Sequence, residues 1–335
     1  MKRLFLVALS LATPLAVVAD TPVFSDDFTG ASTIQSATPG AGTASSADYE
    51  VFVQGAAPGA SGSVYSIAAN NLIFGTPTTA GALGEVTARF GGSPVALATV
   101  GDHINLTLTF VPEANVLLSG MNANSSINIG LFNSGGVNLN QGVRLDGTQI
   151  TGGSQTYLGY VGRLFLNGNA SGFNRNTQAI GTSTTAQNQD LLFNNASSSA
   201  AFNNPGGTSF TGTSGGSTGF TTGLTQGSTY TYSLTISLTA ANAVQVNEKL
   251  FDSSMNQLIN FSGTSTSGAF LGSTFDAFSF GYRANNAPNP GVTPSVDITQ
   301  ISVSDLIQPI PEPASVAILG FAALGLGLGY RRLRR

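Results

Sequence analysis

Alternation of apolar and polar residues is the strongest local signal along this chain. Ile104, Leu106, Leu108 and Phe110 alternate with Asn105, Thr107 and Thr109, and Tyr230, Tyr232, Leu234, Ile236 and Leu238 repeat the pattern later. A period of two sends successive side chains to opposite faces of an extended backbone, so each run predicts a strand with one buried face. Shorter runs predict strands over Tyr49–Gln54, Glu85–Phe90, Ser126–Phe132, Tyr157–Asn167, Val244–Phe251, Thr274–Arg283 and Asp297–Ser304, with Gly, Pro or Asn between them. No soluble amphipathic helix competes with these strands, because no stretch carries apolar residues at helical spacing with a polar opposite face.

Val244–Phe251, the turn residues Asp252–Asn256 and the run Gln257–Phe261 together predict a hairpin, and hence antiparallel pairing. Many strands, few helices and Gly-rich connections predict an all-β fold: two packed antiparallel sheets closed as a jelly-roll sandwich. The last third, from Thr229–Tyr232 through Phe275–Phe278 to Val296–Ile298, resembles the closing strands of concanavalin-like, laminin-G-type sandwiches. Residues 167–228 are rich in Asn, Ser, Thr and Gly, with isolated Phe173, Phe193, Phe202, Phe210 and Phe220. They read as a long decorated insertion with a few short strands, pinned by its phenylalanines to one ectodomain spanning residues 20–308.

Both ends carry addresses. Lys2 and Arg3 precede the apolar run Leu4–Leu9, and Val17 and Ala19 supply the small residues expected before a cleavage point, so residues 1–19 read as a signal peptide cut between Ala19 and Asp20. This predicts export through the Sec translocon across an inner membrane. At the other end Ala314–Tyr330 is an uncharged run of 17 residues. As a helix it would be about 26 Å long, close to the roughly 30 Å hydrocarbon core of a bilayer. Arg331, Arg332, Arg334 and Arg335 follow directly as a stop that remains cytoplasmic, which leaves the ectodomain outside.

Pro311-Glu312-Pro313 stands immediately before this span. Tripeptide, apolar helix and arginine cluster in that order resemble the PEP-CTERM sorting tail of Gram-negative bacteria, here over residues 309–335. The resemblance implies processing by an exosortase, a membrane-embedded protease, and association with exopolysaccharide at the cell surface or in the extracellular matrix. Two prolines also hold the motif extended and free of helix, ready for presentation to such an enzyme.

Composition narrows the partners. Only 8% of the 335 residues are charged, against roughly 25% in an average soluble domain, and polarity comes instead from hydroxyls and amides. Between Asp20 and Pro311 there are fifteen acidic and six basic residues, a net −9 that excludes a nucleic-acid groove. Such a surface suits a neutral, hydrated neighbour such as polysaccharide. Cysteine is absent, so neither disulfides nor thiolate chemistry contribute.

Catalytic constellations are weak. Gly212-Thr-Ser214-Gly-Gly216 and Gly215-Gly-Ser217-Thr-Gly219 match a hydrolase nucleophile pattern, yet they lie in a Gly/Ser/Thr tract, and the single histidine, His103, precedes both serines where the hydrolase order requires it last. Glu50, Glu85, Glu113 and Glu248 cannot be paired as glycosidase carboxylates from spacing. Asp26, Asp27 and Asp297 are calcium candidates, because they fall near the first and last strands. The expectation is therefore a non-enzymatic surface or matrix protein without an obligatory cofactor. A lectin-like carbohydrate-binding module is the first alternative, and a polysaccharide-acting enzyme without a recognisable motif is the second.

Overall fold

The computed structural model describes residues 19–29, 48–53, 64–68, 70–75, 83–89, 93–114, 126–135, 142–143, 149–150, 158–166, 173–180, 192, 212–214, 223–265, 272–283 and 295–307. The signal-peptide residues before Ala19, the Pro-Glu-Pro motif, the apolar span and the terminal arginines lie outside them. No helix among the described residues is long and apolar enough to cross a membrane.

In chain order the strands are β1 (Thr21–Asp26), β2 (Asp48–Val53), β3 (Val64–Ala68), β4 (Asn71–Gly75), β5 (Leu83–Arg89), β6 (Val95–Ala96), β7 (His103–Ala114), β8 (Ser126–Asn133), β9 (Gly142–Val143) and β10 (Gln149–Ile150). They continue with β11 (Leu158–Leu166), β12 (Phe173–Ile180), β13 (Gly212–Ser214), β14 (Tyr230–Ala240), β15 (Ala243–Asp252), β16 (Gln257–Ser265), β17 (Thr274–Phe275), β18 (Ala277–Arg283) and β19 (Ser295–Leu306).

A nine-stranded sheet runs β13-β16-β15-β14-β7-β19-β4-β3, with β1 added beside β19, and a six-stranded sheet runs β12-β11-β8-β18-β5-β2. Every pairing in both is antiparallel, as the predicted hairpin requires. The last strand is central: β19 pairs with β7 on one side, while β4 and β1 share its other edge end to end. Both chain ends of the ectodomain therefore meet on neighbouring strands.

The two sheets pack face to face through the apolar half of each alternation. Phe24 of β1 lies 5.1 Å from Phe278 of β18, and Phe74 of β4 lies 5.9 Å from Phe280, centroid to centroid. Ile104, Leu106, Leu108 and Phe110 from β7 join Tyr232, Leu234 and Ile236 from β14 in one buried cluster with Ile127, Ile129 and Leu131 of β8. Burial of these side chains, each contributing about 1.5–3 kcal/mol, holds the sandwich together without cross-links.

One expectation changes in detail. Thr274–Arg283 reads as one strand but forms two, in different sheets: β17 pairs with β6 and β18 pairs with β5 and β8. The break is Asp276, whose buried carboxylate accepts hydrogen bonds from Ser134 N and Ser134 Oγ, both at 2.6 Å. Within the expected insertion, where a few short strands are anticipated without positions, β12 pairs with β11 over eight residues as the edge of the six-stranded sheet. Its polar sequence hid it: an edge strand does not need the apolar alternation that marks a buried one.

Candidate functional site

The six-stranded sheet has an unusual second face. Val86, Ala88, Ile127, Ile129, Leu131, Phe278 and Phe280 point into the core, and the alternate positions point away from it. Cross-strand register arranges those alternate positions in rows. One row runs Gln178, Val161, Gly130, Ser279, Thr87 and Glu50; the next runs Asn176, Arg163, Asn128, Gly281, Glu85 and Phe52. A third places Asn174, Phe165, Ser126 and Arg283 side by side.

Several of these outward positions are nonetheless buried, and they form a hydrogen-bonded network. Glu85 Oε1 accepts from Ser279 Oγ at 2.9 Å and from Thr87 Oγ1 at 3.2 Å, and the two hydroxyls lie 2.7 Å apart. Glu85 Oε2 accepts from the Leu192 amide at 3.2 Å, while Asn128 Nδ2 donates to the Leu192 carbonyl at 3.0 Å. Glu85 and Asn128 flank Gly281 in the same row, so a single residue of the insertion, Leu192, is gripped at both its backbone donor and its backbone acceptor above a position with no side chain. The neighbouring row repeats the device: a Cβ on Gly130 would meet the Leu192 side chain at 3.2 Å and the Phe132 ring at 2.6 Å. Beside this clamp, Ser126 Oγ and Asn128 Oδ1 are buried without a hydrogen-bond partner.

At one border of the face Arg89 approaches Asp276 Oδ2 at 3.5 Å, next to the Ser134 bonds already described. This ion pair locks β5 to the segment between β17 and β18.

The four glutamates separate by location. Glu85 lies on the outer face of the six-stranded sheet, and the register places Glu50 on that same face of adjacent β2. Glu248 points into the sandwich and accepts from Tyr232 Oη at 3.1 Å. Glu113 sits on the opposite sheet beside Asp297, whose carboxyl pKa is raised by burial first and by Glu113 second.

The calcium candidates do not converge. Asp26 pairs in register with Ile301, faces the core and accepts from Phe28 N at 2.8 Å, an arrangement that holds Phe28 at φ 59°. Asp27 is exposed and accepts from Thr29 N at 3.0 Å, which lowers its pKa. Asp297 lies four residues along β19 from Ile301, and Ile298 beside it is core-facing, so Asp297 occupies the other side of the sheet. No group of three metal-ligating side chains occurs among the described residues. His103 opens β7 and places Nε2 3.2 Å from Asp20 Oδ1. Ser214 is the end of edge strand β13, paired with β16, in place of the turn that a nucleophile would need; Ser217 lies outside the described residues.

The reading of the sequence missed Thr87, Asn128, Ser279 and Leu192. Only the alternation of polar residues on the outward positions of β5, β8 and β18 hinted at them.

No protein-family model matches the chain, and no curated protein matches it. Similar solved structures include lectin UEA-II complexed with galactose, at 8% identity and TM-score 0.40, covering 86% of this chain and all of that one. Arcelin-5, a lectin-like defense protein from Phaseolus vulgaris, aligns at 12% identity and TM-score 0.33 over 79% of this chain and all of its own. Alginate lyase Aly36B aligns at 11% identity and TM-score 0.41 over 86% of this chain and 98% of its own. At such identities the likeness concerns the strand arrangement alone.

Proposed function

We propose that this chain is a non-enzymatic, exported surface or extracellular-matrix protein associated with exopolysaccharide. The observation that carries this reading is compositional: only 8% of the residues are charged, and the polarity comes from hydroxyls and amides, which suits a neutral, hydrated polysaccharide neighbour. Sugars are bound by such groups because each hydroxyl both donates and accepts. The polar, charge-poor composition supports an aqueous matrix as the setting.

Sorting belongs to the same proposal. Removal of residues 1–19 leaves Asp20 as the first residue, the span 314–330 holds the protein in the inner membrane, and an exosortase acts at Pro311, Glu312 and Pro313. Replacing Glu312 with Ala is expected to block that processing, read as retention of the tail in the mature mass. An unchanged mature mass and location would overturn the sorting element. For the binding element, a glycan array probed with the purified full-length protein is expected to give signal on polysaccharide fragments; a blank array removes it.

One observation favours a polysaccharide-acting enzyme instead, namely that Glu50 and Glu85 occupy the same face on neighbouring strands. Against it, Glu85 is buried and already accepts three hydrogen bonds, so it is not open to a glycosidic bond. Product release from polysaccharide that disappears in Glu85→Gln would reverse this choice.

A further inference from the structure

Two pieces of chain that the sequence assigns to a membrane leave the ectodomain at one end of the nine-stranded sheet. The signal segment ends at Ala19, and β1 starts two residues later with Thr21 paired to Asp305, near the end of β19. β19 itself ends at Leu306, opposite His103 at the start of β7. Asp20, between the signal segment and β1, is tied to this end, because its Oδ1 lies 3.2 Å from His103 Nε2. Two turns complete the same end. The Val100 turn precedes β7, with Gly101 N donating to the Leu238 carbonyl at 3.0 Å, and residues 240–243 turn β14 into β15. These turns expose uncharged residues, Val100, Ala240, Ala241 and Asn242 among them, and the chain leaves β19 through exposed Ile307. The opposite end of the sheet carries the Asp252 turn with its carboxylate.

Tether length decides which end can face a bilayer. Six residues separate Ile307 from Ala314, the first residue of the apolar span. Fully extended, those seven steps reach at most about 25 Å. β19 has 12 residues, so the far end of the sheet lies about 37 Å beyond Leu306. The tether is therefore too short to turn the sandwich over and lay its Asp252 end on the membrane. Before signal cleavage the second attachment is shorter still, since Ala19 adjoins Asp20 directly. We infer that the end of the nine-stranded sheet where β1 starts and β19 stops is the membrane-facing end of this protein, with the Val100 turn and the 240–243 turn toward uncharged lipid. The inference rests on the sorting reading above and adds a geometry to it: signal segment and anchor enter the bilayer side by side, so both processing junctions are presented at one place. Uncharged lipid is the fitting partner, because an ectodomain of net −9 is repelled by an anionic surface.

The chain has no cysteine, so Val100→Cys, Ala241→Cys and Met255→Cys each accept a single donor dye. Each full-length variant is reconstituted through its own span into phosphatidylcholine vesicles that carry an acceptor dye on the lipid headgroup. The length of β14 sets the first two positions about 34 Å from the Met255 end, so energy transfer to the lipid is expected to be about threefold or more greater from Val100 and Ala241 than from Met255. Ala241 repeats the Val100 measurement on a separate turn, so one misfolded variant leaves the test intact. Equal transfer from all three positions, or more from Met255, overturns the orientation and leaves the sorting reading standing. Vesicles that float free of the protein overturn both, because the span then does not anchor it.

Discussion

Gly159 and Gly162 lie three residues apart on β11 and are required for different reasons. A Cβ at Gly159 would fall on the Leu131 carbonyl oxygen and within 2.9 Å of Phe132 Cα, both backbone atoms of the paired strand that cannot move aside. A Cβ at Gly162 would press at 3.0 Å on the Glu248 side chain and on Tyr232 Oη, which can shift by a few tenths of an ångström. Overpacking typically costs 1–3 kcal/mol, so Gly159→Ala is expected at about 3 kcal/mol or more and Gly162→Ala at about 1–2 kcal/mol, measured by denaturant unfolding. Equal costs would mean that β11 slides as a unit. Gly162 also explains how a carboxylate survives inside the sandwich, since its missing side chain leaves the space that Glu248 and Tyr232 fill.

Asp297 gives a pH prediction at the same scale. Burial and the nearby Glu113 raise its pKa in the folded chain above the unfolded value, so at neutral pH, where it is ionised in both states, it opposes folding. Stability contributed by this site therefore rises as pH falls through the raised folded value toward the ordinary carboxylate range. Asp297→Asn should raise the thermal midpoint at pH 7 and remove that part of the acid-side gain. A lower midpoint at pH 7 would show that its hydrogen bond with Asn71 outweighs the charge penalty.

Among the elements, the β15–β16 hairpin is the one most fully legible beforehand. Its turn is tied by Asp252, whose Oδ1 accepts from Ser254 N and Asn256 N, both at 2.9 Å, and whose Oδ2 accepts from Asn256 Nδ2 at 2.9 Å. These bonds lower the Asp252 pKa. Met255 pays for the turn geometry, with φ 61° and a side chain 62% exposed. Left-handed backbone costs a non-glycine residue about 1–2 kcal/mol, against about 0.5–1 kcal/mol of extra unfolded-state freedom for glycine. Met255→Gly should thus stabilise by about 0.5 kcal/mol in equilibrium unfolding; a destabilised variant would mean that the Met255 side chain packs in the turn. Strand β12 is the opposite case, because its Asn-, Arg- and Gln-bearing sequence carries no apolar period and its existence depends on the free edge that β11 offers.

For the whole molecule, β19 is the strand on which closure depends. It is paired along both edges, to β7 on one side and to β4 and β1 on the other, and it contributes Val296, Ile298, Ile301 and Val303 to the core. A chain ending before Ser295 is expected to lose cooperative unfolding altogether, checked by near-ultraviolet circular dichroism and a thermal scan. Retention of a sharp transition would show that the remaining strands close on themselves. Because β1 and β19 come from opposite ends of the chain, their pairing waits on long loop closure, and folding on the millisecond-to-second scale of non-local β proteins follows.

The sequence alone determined the strands with a period of two, the antiparallel hairpin after Leu250, the all-β class and the charge-poor character, because each follows from residues a few positions apart. Neither the outer-face clamp nor the meeting of β1 and β19 at one end of the sheet could be read there. Cross-strand neighbours are chosen by strand order and register, and these depend on how two whole sheets bury their apolar faces against each other. Tertiary structure alone therefore decided that Glu50 and Glu85 share a face, that Glu248 is enclosed, that Asp26 and Asp297 stand apart, and that Thr21 and Asp305 are neighbours.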